Sequence, residues 1–482
     1  MFTVAPSFAL FDYFRVPCQR GGYDEGADRG DDPSANAVGY VRANGDPPRA
    51  LLWVPGRGDA TPGVAGVFKL DSTTIFGRLL SDEQARPWLD AIGGDWHRSK
   101  AVCDADGTWC ASVWTDVLGN VFLPFDPNEL IESFWSESYT EFLGSQLSRG
   151  ARSLARRGYY RAKPAIPRHL QILARRCFST VQGRTSFPNW PVEMALHDLY
   201  TLLFDLVQGL TQERLPMIAL WPKGYDWAFV LTHDVETAAG YENIDLLCDI
   251  EIDSSYRSSW NFVPRNHHVL YDDVIERLKA RGFEVGVHGL YHDGRDISEL
   301  EERLPAIREY AERWDAVGFR SPATLRDWKS MPKLGFDYDS TYFDTSPYEP
   351  QPGGCCTWLP FMIEDLVELP ITLPQDHTLF EIIGGLDEQL WLDKTRFLRE
   401  RGGMALVLTH PDYARNKRLV DAYTRLLAEF ADDHTAWKAL PCDVSKWWRM
   451  RAASELKRAN VGWQVVGPAA ENGTATFVTT RS

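Results

Sequence analysis

The chain has 482 residues, a formal net charge of −16 at pH 7, 44% hydrophobic and 24% charged residues. That length predicts two or three domains rather than one core, and the composition is that of a folded chain, not a disordered one. So acidic a protein lacks the basic surface that nonspecific nucleic-acid binding needs, which excludes nucleic acid as a partner.

The first twenty residues lack the basic start and unbroken apolar core of a secretory signal. No run of about 18 apolar residues is present to span a bilayer. Both observations predict a cytoplasmic protein. Eight cysteines without paired CxxC spacing suit reduced thiols, although Cys103 and Cys110 could bridge a hairpin and the adjacent Cys355 and Cys356 look reactive. Eighteen Trp and eighteen Tyr suit either large cores or stacking on sugar faces.

Residues 1–145 alternate short apolar runs, such as 49–56, 66–71, 108–116 and 119–126, with Gly, Pro and Asp clusters. This predicts an N-terminal α+β or mostly β domain. Its aromatic end, Phe134, Trp135 and Tyr139, fits a sugar platform or a core. Residues 146–226 read as a basic helical linker. No acidic residue occurs from Phe142 to Val192, where Arg149, Arg152, Arg156, Arg157, Arg161, Lys163, Arg168, Arg175, Arg176 and Arg184 supply ten positive charges. Residues 149–184 could dock an anionic glycan or membrane surface, or could be a solvated linker. Helices are expected over 169–178 and 193–210.

From 227 to 435 the pattern becomes regular. Apolar strands at 227–236, 258–264, 283–289, 316–322, 336–344, 366–374 and 404–411 are separated by helical segments at 243–253, 271–282, 297–314, 326–335, 390–403 and 417–431. Such alternation predicts a parallel sheet, and seven units normally close into a (β/α) barrel. Residues 436–482 add a short C-terminal extension, a helix over 444–460 followed by two strands at 461–468 and 475–480.

Several of these strands end in chemistry, as catalytic barrels do at the C-terminal ends of their strands. The first runs straight into His233, Asp234 and Glu236. The third ends at His288, with His292 four residues on, a spacing that suits imidazole ligation of Zn²⁺ or a similar cation. An Asp234, His288 and His292 set would leave coordination positions open for water and substrate.

In this arrangement residues 227–435 resemble the NodB-homology polysaccharide deacetylases, carbohydrate esterase family 4. The first motif corresponds to His233-Asp234, the second to His288 and His292, the third to Arg320 and Pro322, the fourth to residues 337–342 and the fifth to Leu408 and His410. The resemblance implies a distorted seven-stranded (β/α) barrel of NodB type, an α/β fold. It implies Asp234, His288 and His292 as metal ligands, His410 as general acid, and Arg320 orienting a carboxylate or holding substrate. The chain departs from the family in carrying His233 where the base is an Asp. His233 could be the base or a fourth ligand, and Glu236 could be the base from the next inward position. Gly289 also replaces a Ser or Thr.

The reaction implied is removal of an N-acyl group from an amino sugar of a bacterial polysaccharide or its precursor, with Zn²⁺ as the default cofactor and Co²⁺, Mn²⁺ or Ni²⁺ as alternatives. Hydrolysis of a formyl or cyclic amide, or an impaired barrel serving as a glycan-binding scaffold, are the alternatives. Tyr338, Asp339, Trp358 and Tyr413 are candidate substrate contacts beside Pro322. Asp412 could hold the His410 ring, and His267-His268 could reach the barrel mouth.

Overall fold

The structure is a computed structural model, and it describes residues 2–21, 38–56, 63–143, 176, 182, 187–265, 272–293, 295, 297–383 and 389–479. Most of the basic stretch, the helix expected at 169–178 and His267-His268 lie outside the described residues. The chain forms two compact units. One joins residues 1–145, 194–219 and 450–482; the other joins 146–193 and 220–449. The packing units are thus discontinuous in sequence, whereas the composition shifts divide the chain at 145, 226 and 435.

In the first unit a nine-stranded mixed sheet runs in the order Cys18–Arg20, Phe2–Ala5, Gly39–Ala43, Arg49–Trp53, Val121–Phe122, Trp109–Asp116, Trp96–Cys103, Val64–Leu70 and Thr73–Leu79. The helix Ala195–Thr211 buries Leu196, Leu199, Tyr200, Leu203, Phe204 and Val207, an i, i+3, i+4, i+7 stripe, against it. Phe134 and Tyr139 are core residues, their rings 5.8 Å apart and both fully buried. The half-buried Trp135 donates its indole N–H to Tyr200 Oη at 3.1 Å. The buried Arg451 guanidinium donates to the carbonyls of Tyr13, Ile218 and Ala219 at 2.7, 3.1 and 3.1 Å, tying three separate stretches of this unit together.

The second unit is built on a parallel sheet. Its strands are β1 (Trp227–Val235), β2 (Ser258–Phe262), β3 (Glu284–Val287), β4 (Gly318–Phe319), β5 (Tyr338–Asp339), β6 (Leu366–Glu368) and β7 (Met404–Thr409), in the order β6-β5-β4-β3-β2-β1-β7. Residues 361–363 pair antiparallel with β6, and 436–438 pair parallel with β1. Beyond β6 the chain returns to β7, with the Thr372 and Leu373 N–H groups on Leu406 O and Thr372 Oγ1 accepting from Leu406 N. This seam, made partly by a side chain, closes the α/β barrel unevenly. All nine residues of β1 are buried, as expected of a strand covered on both faces. Helices α1 (Ile244–Asp253), α2 (Asp272–Ala280), α3 (Leu300–Trp314), α4 (Gln389–Glu400) and α5 (Lys417–Glu429) alternate with the strands.

Two expected elements differ. The helix predicted at 326–335 is a 3₁₀ turn, Met331–Leu334, because Pro332 has no N–H for a longer helix. The C-terminal helix ends at Ala452, and Glu455–Arg458 pairs as a strand with Trp463–Val466. Among the described residues no helix is long and apolar enough to cross a membrane.

The N-terminal ends of the strands form the closed end of the barrel. There Tyr338 Oη donates to Glu284 Oε1 at 2.7 Å and Cys442 N donates to Oε2 at 3.1 Å. Trp358 lies at the same end, its carbonyl accepting from Met404 N at the start of β7. Burial pushes the Glu284 carboxyl from an ordinary 4.5 up to about 7. Folded protein therefore keeps a proton over that window that the unfolded chain has released, so stability falls as pH rises through it. Glu284→Gln removes this charge. Its melting temperature should gain on wild type between about pH 5 and pH 8, and a gap that does not change with pH would refute the assignment.

Candidate active site

The polar residues gather at the opposite, C-terminal ends of the strands. Neighbouring side chains of a strand point to opposite faces, and this decides the fate of the His233-Asp234 pair. Asp234 faces the interior, where Oδ1 accepts from Asn261 Nδ2 at 2.9 Å and from Arg320 at 3.0 Å. Asn261 is its register partner on β2.

His233 faces outward into the helical layer. Its Nε2 is 2.6 Å from Glu251 Oε1 on α1, its Nδ1 is 2.8 Å from Thr409 Oγ1, and its ring stacks on Trp260 at 4.1 Å. Tyr423 Oη and Ser258 Oγ also donate to Glu251, at 2.7 and 2.6 Å. The whole group is buried. His233, expected as base or fourth ligand, is thus a saturated core residue on the wrong face of β1.

Two positions after Asp234, Glu236 again points inward. Glu236, His288 and His292 each offer a donor atom within 4.8 Å of the other two. Glu236 Oε1 lies 2.8 Å from His292 Nε2 and 3.8 Å from His288 Nε2. The geometry exchanges the two carboxylates of the sequence reading: Glu236 joins the histidines, and Asp234, 3.7 Å from His288 Nε2, stands beside them on Arg320.

A divalent cation fits this group. Both Nε2 atoms are buried without a partner of hydrogen-bond geometry, although the short approach to Glu236 is electrostatically favourable. His288 Nδ1 sits 3.1 Å from the Arg320 carbonyl, which can only accept. The ring proton therefore belongs on Nδ1 and the Nε2 lone pair faces the cluster. Burial opposes charge on Glu236, but His292, His288 and His410 outweigh it and hold the carboxyl well below its ordinary range. Asp234 is likewise lowered, with Arg320 overcoming burial.

Arg320 is fully buried and does not reach for substrate. Its Nε donates to Ser340 O at 2.6 Å, one terminal nitrogen to Ser340 Oγ at 2.8 Å, and the other to Thr232 Oγ1 and Asp234 at 3.0 Å. His410 follows β7. Its Nδ1 is 2.6 Å from Asp376 Oδ1, its N–H donates to Asp376 Oδ2 at 2.7 Å, and its Nε2 is 3.8 Å from Glu236 Oε1. Burial opposes a charged ring there, but Asp376, Glu236 and Asp234 push His410 up to about 10.

The other candidates separate. Tyr413 stays at the site, its ring 5.7 Å from His410 and stacked on the half-buried His377 at 5.3 Å. Pro322 opens a turn in which Ala323 and Thr324 have φ of 54° and 51°, a left-handed conformation that non-glycine residues hold only under restraint. Asp339 is fully buried with Oδ1 on Thr341 Oγ1 at 2.7 Å; burial raises both it and the neighbouring Glu368. Tyr338 and Trp358 belong to the closed end and cannot line this site. Asp412 does not hold the His410 ring, a position taken by Asp376. Sequence reasoning missed Asn261, Asp376 and His377. Asp376 follows the predicted strand 366–374, the same signal that marked His288.

No family model matches the sequence, and no curated protein does. Solved structures are similar over about half of it. A Mycobacterium smegmatis protein described as a polysaccharide deacetylase is 20% identical, covering 52% of this chain and 100% of its own, with a TM-score of 0.37. Puue allantoinase is 16% identical over 48% of this chain and 93% of its own, with a TM-score of 0.38. The peptidoglycan deacetylase PdaC from Bacillus subtilis is 12% identical over 47% and 94%, with a TM-score of 0.32.

Since His233 is a close partner of a fully buried Glu251, its loss should be read in stability. His233→Ala should cost roughly 3–5 kcal/mol in urea unfolding while the folded protein keeps its metal stoichiometry. Replacing both partners, as in His233→Phe with Glu251→Leu, should recover part of that loss. A single variant as stable as wild type but depleted of metal would contradict the core assignment.

Proposed function

We propose that the second unit is a metal-dependent hydrolase that removes an N-acyl group, acetyl first among them, from an amino sugar of a bacterial polysaccharide or its precursor. The observation that carries this reading is the set of inward-facing groups at the strand ends: one carboxylate with two imidazoles, a second carboxylate held by a buried arginine, and a third imidazole held by an aspartate.

Glu236, His288 and His292 would hold the cation, Zn²⁺ by default, with positions left open for substrate and water. The cation would supply Lewis acidity, polarising the scissile amide carbonyl and making water a better nucleophile. Asp234 is the base in this scheme. It accepts a proton from the attacking water while Arg320 and Asn261 fix its Oδ1. His410 gives a proton from Nε2 to the amide nitrogen as the C–N bond breaks, and Asp376 holds the opposite side of its ring. The products are a carboxylic acid and a free amine. Tyr413 and His377 form an aromatic edge beside His410 where a sugar ring could rest.

The scaffold alternative drew its strength from a histidine in the place of the base. Asp234 removes that motive, because a carboxylate does face the interior.

Metal content and acetate release from an N-acetylglucosamine oligomer test the division of labour. His288→Ala and Glu236→Gln should lose both metal and turnover. Asp234→Asn should keep the metal and lose about 10²-fold or more in kcat. Metal in wild type without acetate release would move the substrate to a formyl or cyclic amide. A wild type that takes up no Zn²⁺, Co²⁺, Mn²⁺ or Ni²⁺ would sink the reading.

A further inference from the structure

The three proposed ligands are not equally well carried. His288 directly follows β3, and the Arg320 carbonyl fixes its ring. His292 stands in an irregular segment, but next to it Asp293 is gripped by the buried Arg303 of α3 through both carboxylate oxygens, at 2.9 and 2.8 Å. Glu236 lies one residue past the end of β1, beyond the last register pair, Val235 with Phe262.

What holds that backbone is Asp412. Its Oδ2 accepts from the Glu236 N–H at 3.2 Å, and its Oδ1 accepts a short hydrogen bond from Thr237 Oγ1. Gly240 closes the same turn so tightly that a Cβ there would stand 2.6 Å from Asp412 Oδ2. Asn243 Nδ2 adds a bond to the Pro411 carbonyl at 2.9 Å. Asp412 belongs to the 3₁₀ turn Pro411–Tyr413, which begins immediately after His410. The carboxylate therefore spends both oxygens on the loop that carries Glu236 and none on the imidazole two residues before it.

We propose that Asp412 is a positioning residue for the metal site: it fixes the backbone at Glu236 and Thr237, and so aims the Glu236 carboxylate at His288 and His292. The inference rests on the reading of Glu236 as a ligand. Its physical basis is pre-organisation. A ligand on an unheld loop must be ordered by the metal itself, and that ordering is subtracted from the binding energy. The same clamp ties the turn after His410 to the end of β1.

The test is the Zn²⁺ dissociation constant of the full-length protein, measured by competition with a chromophoric chelator, together with the melting temperature of the metal-free form. Asp412→Asn keeps the shape but replaces one acceptor oxygen by a donor, and should weaken Zn²⁺ binding about 10- to 100-fold. Thr237→Val removes one arm of the clamp and should shift affinity the same way by a smaller factor, which keeps the test alive if the Asp412 variant does not fold. The metal-free melting temperature should move far less than the affinity. Wild-type affinity within about twofold in both variants, whether or not they melt lower, would show a merely structural role and overturn the inference while leaving the hydrolase reading intact. A wild type that binds no metal would overturn both.

Discussion

Asp234 is a buried carboxylate, and it stays charged because Arg320 is fixed beside it. An unpaired ion so placed would cost several kcal/mol. The pairing in turn constrains the barrel. Asp234 sits on β1 and Arg320 follows β4, two strands that are not neighbours in the sheet, so the ion pair crosses the interior. The guanidinium can reach only because Ser340, just past β5, accepts from its Nε and from a terminal nitrogen, while Thr232 takes a share of the other terminal nitrogen. Ser340 Oγ is itself anchored on the Leu369 carbonyl at 2.8 Å. Strand order, a buried charge and the placement of a candidate base are thus one problem with one solution.

Much of this was legible in the chain. Apolar runs that end abruptly in His, Asp or Arg located β1, β3, β4 and β7 and the ends of each that matter. What a run of letters hid was direction. His233 and Asp234 are adjacent, and adjacent residues of a strand cannot share a face. The informative spacing was Asp234 to Glu236, two residues, although the resemblance drew the eye to a neighbouring pair. Tyr338 and Trp358 misled for a related reason: both lie near a strand end, but the N-terminal one. Asn261 carries no signal by itself in a buried strand, and only its register opposite Asp234 gives it a meaning. Asp376 meets His410 across 34 residues, a contact that no local pattern encodes.

The first unit was harder for the same reason. Its sheet and the helix Ala195–Thr211 come from stretches far apart in sequence, and Arg451 binds carbonyls from two of the other pieces. Alternating strands and helices announce a parallel barrel because each βα unit is local. A mixed sheet assembled from remote segments leaves no comparable period, and composition shifts then mark where the character of the chain changes, not where a packing unit closes.

Two buried histidines, His233 on β1 and His410 just past β7, each pair with a carboxylate, Glu251 and Asp376, at 2.6 Å. By residue type they are interchangeable, and both are buried. They differ in what the second ring nitrogen meets. In His233 it meets Thr409, another core side chain, so the ring is satisfied at both ends and has no chemistry left to do. In His410 it lies 3.8 Å from Glu236 Oε1, the carboxylate that also faces His288 and His292. A buried polar group that is fully bonded stabilises a fold, and one held firmly on a single side keeps the other available for a ligand or a proton. That asymmetry, more than the presence of any particular histidine, separates the inward face of β1 and β7, which carries the candidate site, from the outward one.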